Sequence, residues 1–327
     1  RLSYYSVHSA RIPMVDAGSQ TASSEIPTAQ TADRLPINVA FASDDRGTVG
    51  LAVAVHSLLR HTKRLVNVWI IEESIDFATR RRLEASWSDS PNLTKVTFIG
   101  HTDLPIKVPS WWATNNWPLA SCYRFQLAEV LPPTVPRCVY LDIDVLVGTD
   151  IGVLYDLDMK GFPVAMVDGY MKIEADRQYI ISIGLDPEHY GNPGVMLMDI
   201  NAWRRDNHTT GLINHARSMR ADLWFFDQDM INAYFKDRFL LLDGRWNKRD
   251  AAAAPDGIIQ HFAGNPKPWQ MAPNESTLAG LVAWHRARAA NSFQPTPASP
   301  LRRLRRRIGV GVARLQRRLR SSGRRTH

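Results

Sequence analysis

The sequence predicts an α/β fold, a parallel sheet with helices on both faces. Apolar runs of strand length alternate with stretches of helical spacing: strands over 35–42, 66–72 and 93–99, helices over 48–60 and 75–87. Strand–helix–strand alternation of this kind is the mark of a parallel sheet. The 327 residues are 44% hydrophobic and 22% charged, which suffices for one large domain with appendages. Acidic residues also fall where the first strand ends, at Asp44 and Asp45. Open α/β sheets bind ligands beyond the carboxyl ends of their strands, so these two share an edge with a site after 140–144.

The first 34 residues are rich in Ser, Thr, Ala and Gln and have little periodicity, so they read as a disordered or loosely attached arm. The loop 106–117 carries Trp111, Trp112 and Trp117, which are either core or a surface for sugar or lipid. A helix over 119–131 holds Arg124. The stretch 137–148, RCVYLDIDVLVG, then sets Asp142 and Asp144 two apart in an apolar, β-branched run. In a strand, residues i and i+2 share a face. Two carboxylates buried side by side cost several kcal/mol each unless neutralised, and a hard divalent cation does this well. Taken alone, Asp-x-Asp is also what a solvated strand end looks like.

The second half is less regular. A strand over 162–168 ends in Asp168. A turn over 189–194 precedes a strand over 195–200, and Trp203-Arg204 opens the next helix. Asp227-Gln228-Asp229 heads a helix over 230–235, where Asp has an ordinary capping role. Strands over 239–242 and 258–262 follow, the second running on to Gly264-Asn265-Pro266-Lys267-Pro268-Trp269. There is no internal repeat.

The net charge of +8 belongs to the tail. Residues 301–327 hold eleven of the 40 Lys and Arg and no acid, leaving 29 basic against 32 acidic residues elsewhere. Leu301, Leu304, Ile308, Val312, Leu315 and Leu319 fall on one helical face with arginines on the others. Such a basic amphipathic helix commonly lies on an anionic membrane surface; the other reading is a disordered basic tail that binds any polyanion, nucleic acid included, and the membrane is preferred because the apolar stripe has no use in phosphate binding alone. No apolar run is long enough to span a membrane. The N-terminal stretch lacks the continuous apolar core of a secretory signal. Cys122 and Cys138 form neither a metal nor a redox spacing, so a reducing, cytoplasmic setting is expected, with the protein peripheral on the inner membrane face.

The ordered set YLDIDVLV, GNPGVMLMDINAWR, DQDMINAYF, LDGRWN and HFAGNPKPW resembles the retaining family 8 glycosyltransferases over about 36–270. Within that family, the resemblance is to bacterial lipopolysaccharide and lipooligosaccharide glucosyl- and galactosyltransferases. It implies the GT-A architecture, a Rossmann-like mixed central sheet flanked by helices, over 35–275, with 276–327 as linker and membrane-association tail. It implies Asp142, Asp144 and His261 as ligands to Mn²⁺ or Mg²⁺, a carboxylate–imidazole set that suits Mn²⁺. Ile143, Gly264 and Lys267 belong with the diphosphate. Ala42, Asp44 and Asp45 correspond to nucleoside positions, and Arg124, Asp168, Asn192, Asp227 and Gln228 to donor-sugar positions. The implied reaction moves glucose or galactose from a UDP-sugar to a glycan or lipid-linked acceptor with retention. Both a front-face route and a short-lived covalent intermediate are open.

Two departures from the family pattern stand out. Pro193 replaces the Ala usual between Asn and Gly, and Asp45-Arg46-Gly47 lacks the aromatic that commonly stacks on uracil. Rival readings are a self-glycosylating, glycogenin-like transferase and a non-catalytic nucleotide-sugar-binding relative. Neither the acceptor nor the oligomeric state is encoded in a readable way.

Overall fold

The computed structural model describes residues 35–108, 119–169, 173–219, 223–249, 252, 254–275 and 277–295. The arm at 1–34, the three tryptophans of the 106–117 loop and the basic segment 301–327 lie outside the described residues. Nine strands occur among those described: β1 (Ile37–Asp44), β2 (Val66–Glu73), β3 (Leu93–Gly100), β4 (Arg137–Leu141), β5 (Val145–Val147), β6 (Val164–Asp168), β7 (Gly191–Asp199), β8 (Leu240–Leu242) and β9 (Ile259–His261). Seven form one sheet in the order β3-β2-β1-β4-β7-β6-β8, and β5 pairs with β9 in a small antiparallel ribbon. The main sheet is mixed. β3, β2, β1 and β4 run parallel, while β7 is antiparallel to both neighbours. Strand–helix alternation alone leads to an all-parallel sheet, but it governs only the first half of the chain.

The alternation of side chains along β1 builds the layers. Ile37, Val39 and Phe41 face one core with Leu51, Val55 and Leu58 of the Thr48–His61 helix. Ala40 and Ala42 face the opposite core, with Tyr123, Phe125, Trp203 and Phe235. A strand covered on both faces is buried along its length and mostly apolar, as β1 is from Ile37 to Ser43. The Ala279–Ala290 helix lies beyond the boundary expected at 275, yet Leu281 and Trp284 pack on Val53 of the Thr48–His61 helix. Phe293 is buried in the first core.

Four sequence expectations change at the working edge. The segment 119–131 is a 3₁₀ stretch, Leu119–Gln126, followed by one α turn, Leu127–Val130. Asp142 and Asp144 lie in the turn between β4 and β5, so the turn, not strand periodicity, brings them together. The segment 191–194 is part of β7, not a turn. Opposite β6 the pairing jumps from Met166↔Met196 to Val167↔Asn192, and Pro193, which has no N–H to donate, falls in that bulge. Finally, the helix at 227 begins with Asp227 itself, after Phe226 at φ 49°. Asp227, Gln228 and Asp229 are buried, which a solvent-facing cap would not be.

Candidate active site

The carboxyl ends of β1, β4 and β6 and the start of β7 meet at one edge of the sheet. The strand order reverses between β1 and β4, the place where α/β sheets form a ligand crevice. Asp44, Asp142, Asp168 and Asn192 all reach this edge.

Asp142, Asp144 and His261 converge there, each offering a ligand atom within 4.8 Å of the others. His261 Nε2 is 3.3 Å from Asp144 Oδ1 and 3.9 Å from Asp142 Oδ2. His261 reaches the group because β9 pairs with β5 in a register that sets it beside Val145. Lys267 Nζ donates to Asp144 Oδ2 at 2.5 Å and to the Phe262 carbonyl at 3.1 Å. Burial pushes the Asp144 carboxyl up, but the charges and hydrogen bonds of His261 and Lys267 outweigh it, holding the group well below the usual carboxylate range. Asp144 is therefore an anion at neutral pH.

A single backbone N–H fixes the polarity of the surrounding amides. Gly194 N donates to Asn192 Oδ1 at 3.0 Å, which makes that oxygen an acceptor. Asn247 Nδ2 donates to the same oxygen at 2.8 Å, so Asn247 Oδ1 is the atom facing His261 Nδ1, also at 2.8 Å. One imidazole proton is thereby placed on Nδ1, so Nε2, which faces the two carboxylates, is the nitrogen that gives up its proton and offers its lone pair when a cation binds. This is the tautomer a divalent cation requires, and orientation of a ligating histidine through its other nitrogen is general at metal sites. The donor set fits the cation. Gly194 itself has to be glycine: a Cβ there would lie 2.2 Å from His261 Cε1.

The other arm of the same network reaches Gln228. Asn192 Nδ2 donates to Gln228 Oε1 at 3.0 Å. That leaves Gln228 Nε2 buried with no hydrogen-bond partner. A buried orphan donor costs roughly 1–3 kcal/mol and is met by a ligand acceptor when one binds. Next to it, Arg124 is fully committed. Its Nη2 serves Asp142 Oδ1 at 2.8 Å and Asp227 Oδ2 at 3.2 Å, Nη1 donates to the Pro193 carbonyl at 2.7 Å and Nε to the Ser121 carbonyl at 2.6 Å. The guanidinium lies over the Tyr140 ring at 4.3 Å, and Tyr140 Oη donates to Asp142 Oδ1 at 2.9 Å. Burial pushes the Asp227 carboxyl up to about 6, with Arg124 pulling it down and Asp142 pushing it further up.

Eight of the expected site residues are thus joined by direct contacts: Arg124, Asp142, Asp144, Asn192, Asp227, Gln228, His261 and Lys267. The nucleoside positions join through sterics. A Cβ on Gly47 would lie 2.2 Å from Ile143 Cδ1, so the turn after β1 packs closely on the side chain in the middle of the Asp-Ile-Asp turn, and a larger residue there would have to push the end of Ile143 aside. Arg46 folds back onto Asp44: its guanidinium pairs with Oδ2, while Arg46 N and Gly47 N donate to Oδ1 at 2.9 and 3.0 Å. Ala42 is buried at the end of β1, and Asp45 sits in the turn, its carbonyl accepting from Thr48 Oγ1. Asp168 ends β6 at an exposed position, and a Cβ on its neighbour Gly169 would lie 3.1 Å from Gln228 Nε2. Gly264 faces open space.

Sequence reasoning missed three residues here. Tyr140 sits two before Asp142, in an apolar run that by itself gives its ring no site role. Asn247 was noted within LDGRWN without a role. Asn232, one helical turn after Gln228, clamps Gly191 through both backbone groups at 2.7 and 2.8 Å. We expect Asn247→Leu to weaken Mn²⁺ binding about 10- to 100-fold, because the imidazole loses the acceptor that fixes its tautomer. Titration of free Mn²⁺ by electron paramagnetic resonance measures this, and an unchanged affinity would remove Asn247 from the site.

A mixed α/β sheet with an acid–imidazole cluster and a lysine at its switch point has the makings of a nucleotide-sugar enzyme. Residues 38–272 match the model of Glycosyl transferase family 8, well over half the chain, and the protein is a glycosyltransferase belonging to that family. It is 24% identical over 257 residues to the lipopolysaccharide 1,3-galactosyltransferase of Salmonella typhimurium, covering 74% of this chain and 75% of that one. It is 29% identical over 171 residues to general stress protein A of Bacillus subtilis, covering 46% of this chain and 59% of the relative. Among solved structures, the galactosyltransferase LgtC in complex with donor and acceptor sugar analogues superposes with a TM-score of 0.65 at 20% identity, over 80% of this chain and 98% of that one. At that identity the likeness speaks for the fold. Family 8 enzymes use a divalent metal and a nucleotide sugar, and the Asp142–Asp144–His261 group is the candidate metal site.

Proposed function

We propose that the protein is a retaining hexosyltransferase. It moves glucose or galactose from a UDP-sugar to a glycan or lipid-linked saccharide at the inner face of a membrane, in lipopolysaccharide-type assembly. The observation that carries this reading is the junction of two sets of side chains: the Asp142–Asp144–His261 cluster with Lys267, and the Asn192–Gln228–Asp227 set beside it.

Each part has a task in glycosyl transfer. A divalent ion held by Asp142, Asp144 and His261 would neutralise the diphosphate as the sugar–phosphate bond breaks. Lys267 adds a second positive charge where the leaving group becomes more negative. Gln228 Nε2 offers its unmet N–H to an oxygen of the donor sugar. Asp227 accepts sugar hydroxyls, and Arg124 holds Asp227 and Asp142 apart in fixed geometry. At the nucleoside end, Arg46 occupies the carboxylate of Asp44, so the ribose or base must share Asp44 with it or displace it.

The test is release of free UDP from a panel of UDP-sugars without acceptor, with Mn²⁺ and then with EDTA. Slow turnover of UDP-glucose or UDP-galactose, abolished by EDTA, is expected. No turnover of any donor and no Mn²⁺-dependent UDP binding would favour a non-catalytic relative, while hexose-step mass increases on the protein would favour self-glycosylation.

No helix among the described residues is long and apolar enough to cross a membrane, so attachment in this reading falls to residues 301–327. Deleting them is expected to lower binding to phosphatidylglycerol vesicles at least about tenfold, since each basic residue near an anionic surface is worth roughly 1 kcal/mol. Activity on soluble substrates should persist. Equal vesicle binding by the full and shortened proteins would overturn the peripheral-membrane assignment.

A further inference from the structure

Just before Asp227 the chain presents a large aromatic ring to solvent. The Trp224 residue is 52% exposed although one face of its indole lies flat on Tyr179, with ring centroids 4.4 Å apart and planes within 2°. The remaining exposure therefore comes from the opposite face and the edge of the ring. An exposed indole is costly in water, and this one is also held firmly. Trp224 N donates to Tyr179 Oη at 2.9 Å, and Tyr179 Oη donates to the buried carboxylate of Asp229 at 2.7 Å. Asp229 is fixed in turn by Tyr190 Oη at 2.5 Å and Phe225 N at 2.9 Å. The backbone of Trp224 is thus two hydrogen bonds from the carboxylate of Asp229, the residue that follows Gln228.

The backbone supports the same arrangement. Phe226 adopts φ 49°, a left-handed value that costs a non-glycine residue on the order of 1 kcal/mol. That turn sends Asp227 and Gln228 inward while Trp224 stays at the surface. A flat apolar face held three residues before Asp227, on the segment that leads into the Asp227–Gln228 helix start, matches one ligand chemistry well. The axial C–H face of a pyranose stacks on an indole while its hydroxyls remain free at the edges.

We propose that the open face of Trp224 is a binding platform for a hexopyranose ring of the acceptor, outside the donor pocket. Its recognition is by stacking, so it selects for a pyranose face rather than for one hydroxyl pattern. The proposal rests on the hexosyltransferase reading above, because that reading supplies a saccharide acceptor.

The test labels the protein with 5-fluorotryptophan and assigns the Trp224 resonance by its loss in Trp224→Phe. Lactose and maltose are then titrated against it, with glycerol as a polyol lacking a pyranose face. A saturable shift of the Trp224 resonance with the disaccharides and none with glycerol is expected. Calorimetry with the same sugars should show affinity falling about tenfold in Trp224→Ala and less in Trp224→Phe, as loss of one aromatic stacking contact implies. No shift with either sugar, or an equal shift with glycerol, overturns the platform. Binding of Mn²⁺ and UDP is measured separately on the same sample. Its absence would defeat the hexosyltransferase reading, and its presence without a Trp224 response would defeat only the platform.

Discussion

Asp144→Asn is expected to abolish metal-dependent turnover, lowering it by about 10³-fold or more, while the chain stays folded. Asp144 is shared between two cationic partners: Oδ1 faces His261 Nε2 at 3.3 Å and Oδ2 accepts from Lys267 at 2.5 Å. An amide in its place keeps the shape but loses the charge. It supplies one weak oxygen to a cation and turns an N–H toward either the imidazole or the ammonium. The fold survives because the strands on either side, β4 and β5, are held by β7 and β9 through backbone pairing that does not involve the side chain. Circular dichroism should match the parent, with Mn²⁺-dependent UDP release lost. A variant as active as the parent in Mn²⁺ would remove Asp144 from the metal site.

The second large effect is on stability. Arg124→Met should lower it by roughly 3–5 kcal/mol, the cost of stripping one partner from buried ion pairs. In a chain of this size that is a fall on the order of 10 °C in Tm. One guanidinium satisfies Asp142, Asp227 and two backbone carbonyls, and methionine fills the volume without replacing any of those donors. The deficit also has a pH signature. Asp227 already titrates at about 6 because burial outweighs Arg124, above the usual carboxylate value of about 3.9. A carboxyl raised on folding favours the native state below its unfolded value, and that contribution is lost as pH rises through the folded value. Without Arg124 the folded value moves higher still. The variant should therefore be nearest to the parent at about pH 5 and furthest from it above about pH 7. Thermal melts across that range measure it. A Tm difference that is small, or that does not vary with pH, would mean Arg124 does not hold the two carboxylates.

How much of this was legible beforehand depended on the kind of interaction. Local pattern carried the first half of the sheet, because β1, β2 and β3 and the Thr48–His61 helix follow from periodicity alone. The Asp-x-Asp spacing pointed to a cation at Asp142 and Asp144, His261 came from motif resemblance, and the turn at 142–144, rather than strand alternation, brings the two carboxylates together. What the sequence left hidden is long-range. β7 begins at Gly191 because Asn232, on another element, clamps Gly191 through both backbone groups, and no local signal in a Gly-Asn-Pro-Gly segment announces a strand. Asp227-Gln228-Asp229 reads as a solvated cap until Phe226 turns the helix start inward. Asn247 lies 14 residues from His261 and 55 from Asn192, so its place between them appears only after folding. The jump in register at Pro193 likewise depends on two partner strands at once.

The most direct test of the site is a crystal structure of the full chain soaked with Mn²⁺ and UDP, with data collected at the manganese absorption edge. The account predicts one strong anomalous peak within bonding distance of Asp142, Asp144 and His261 Nε2. Lys267 should have turned from Asp144 toward a diphosphate oxygen. An anomalous peak elsewhere, or none with UDP clearly bound, would contradict it.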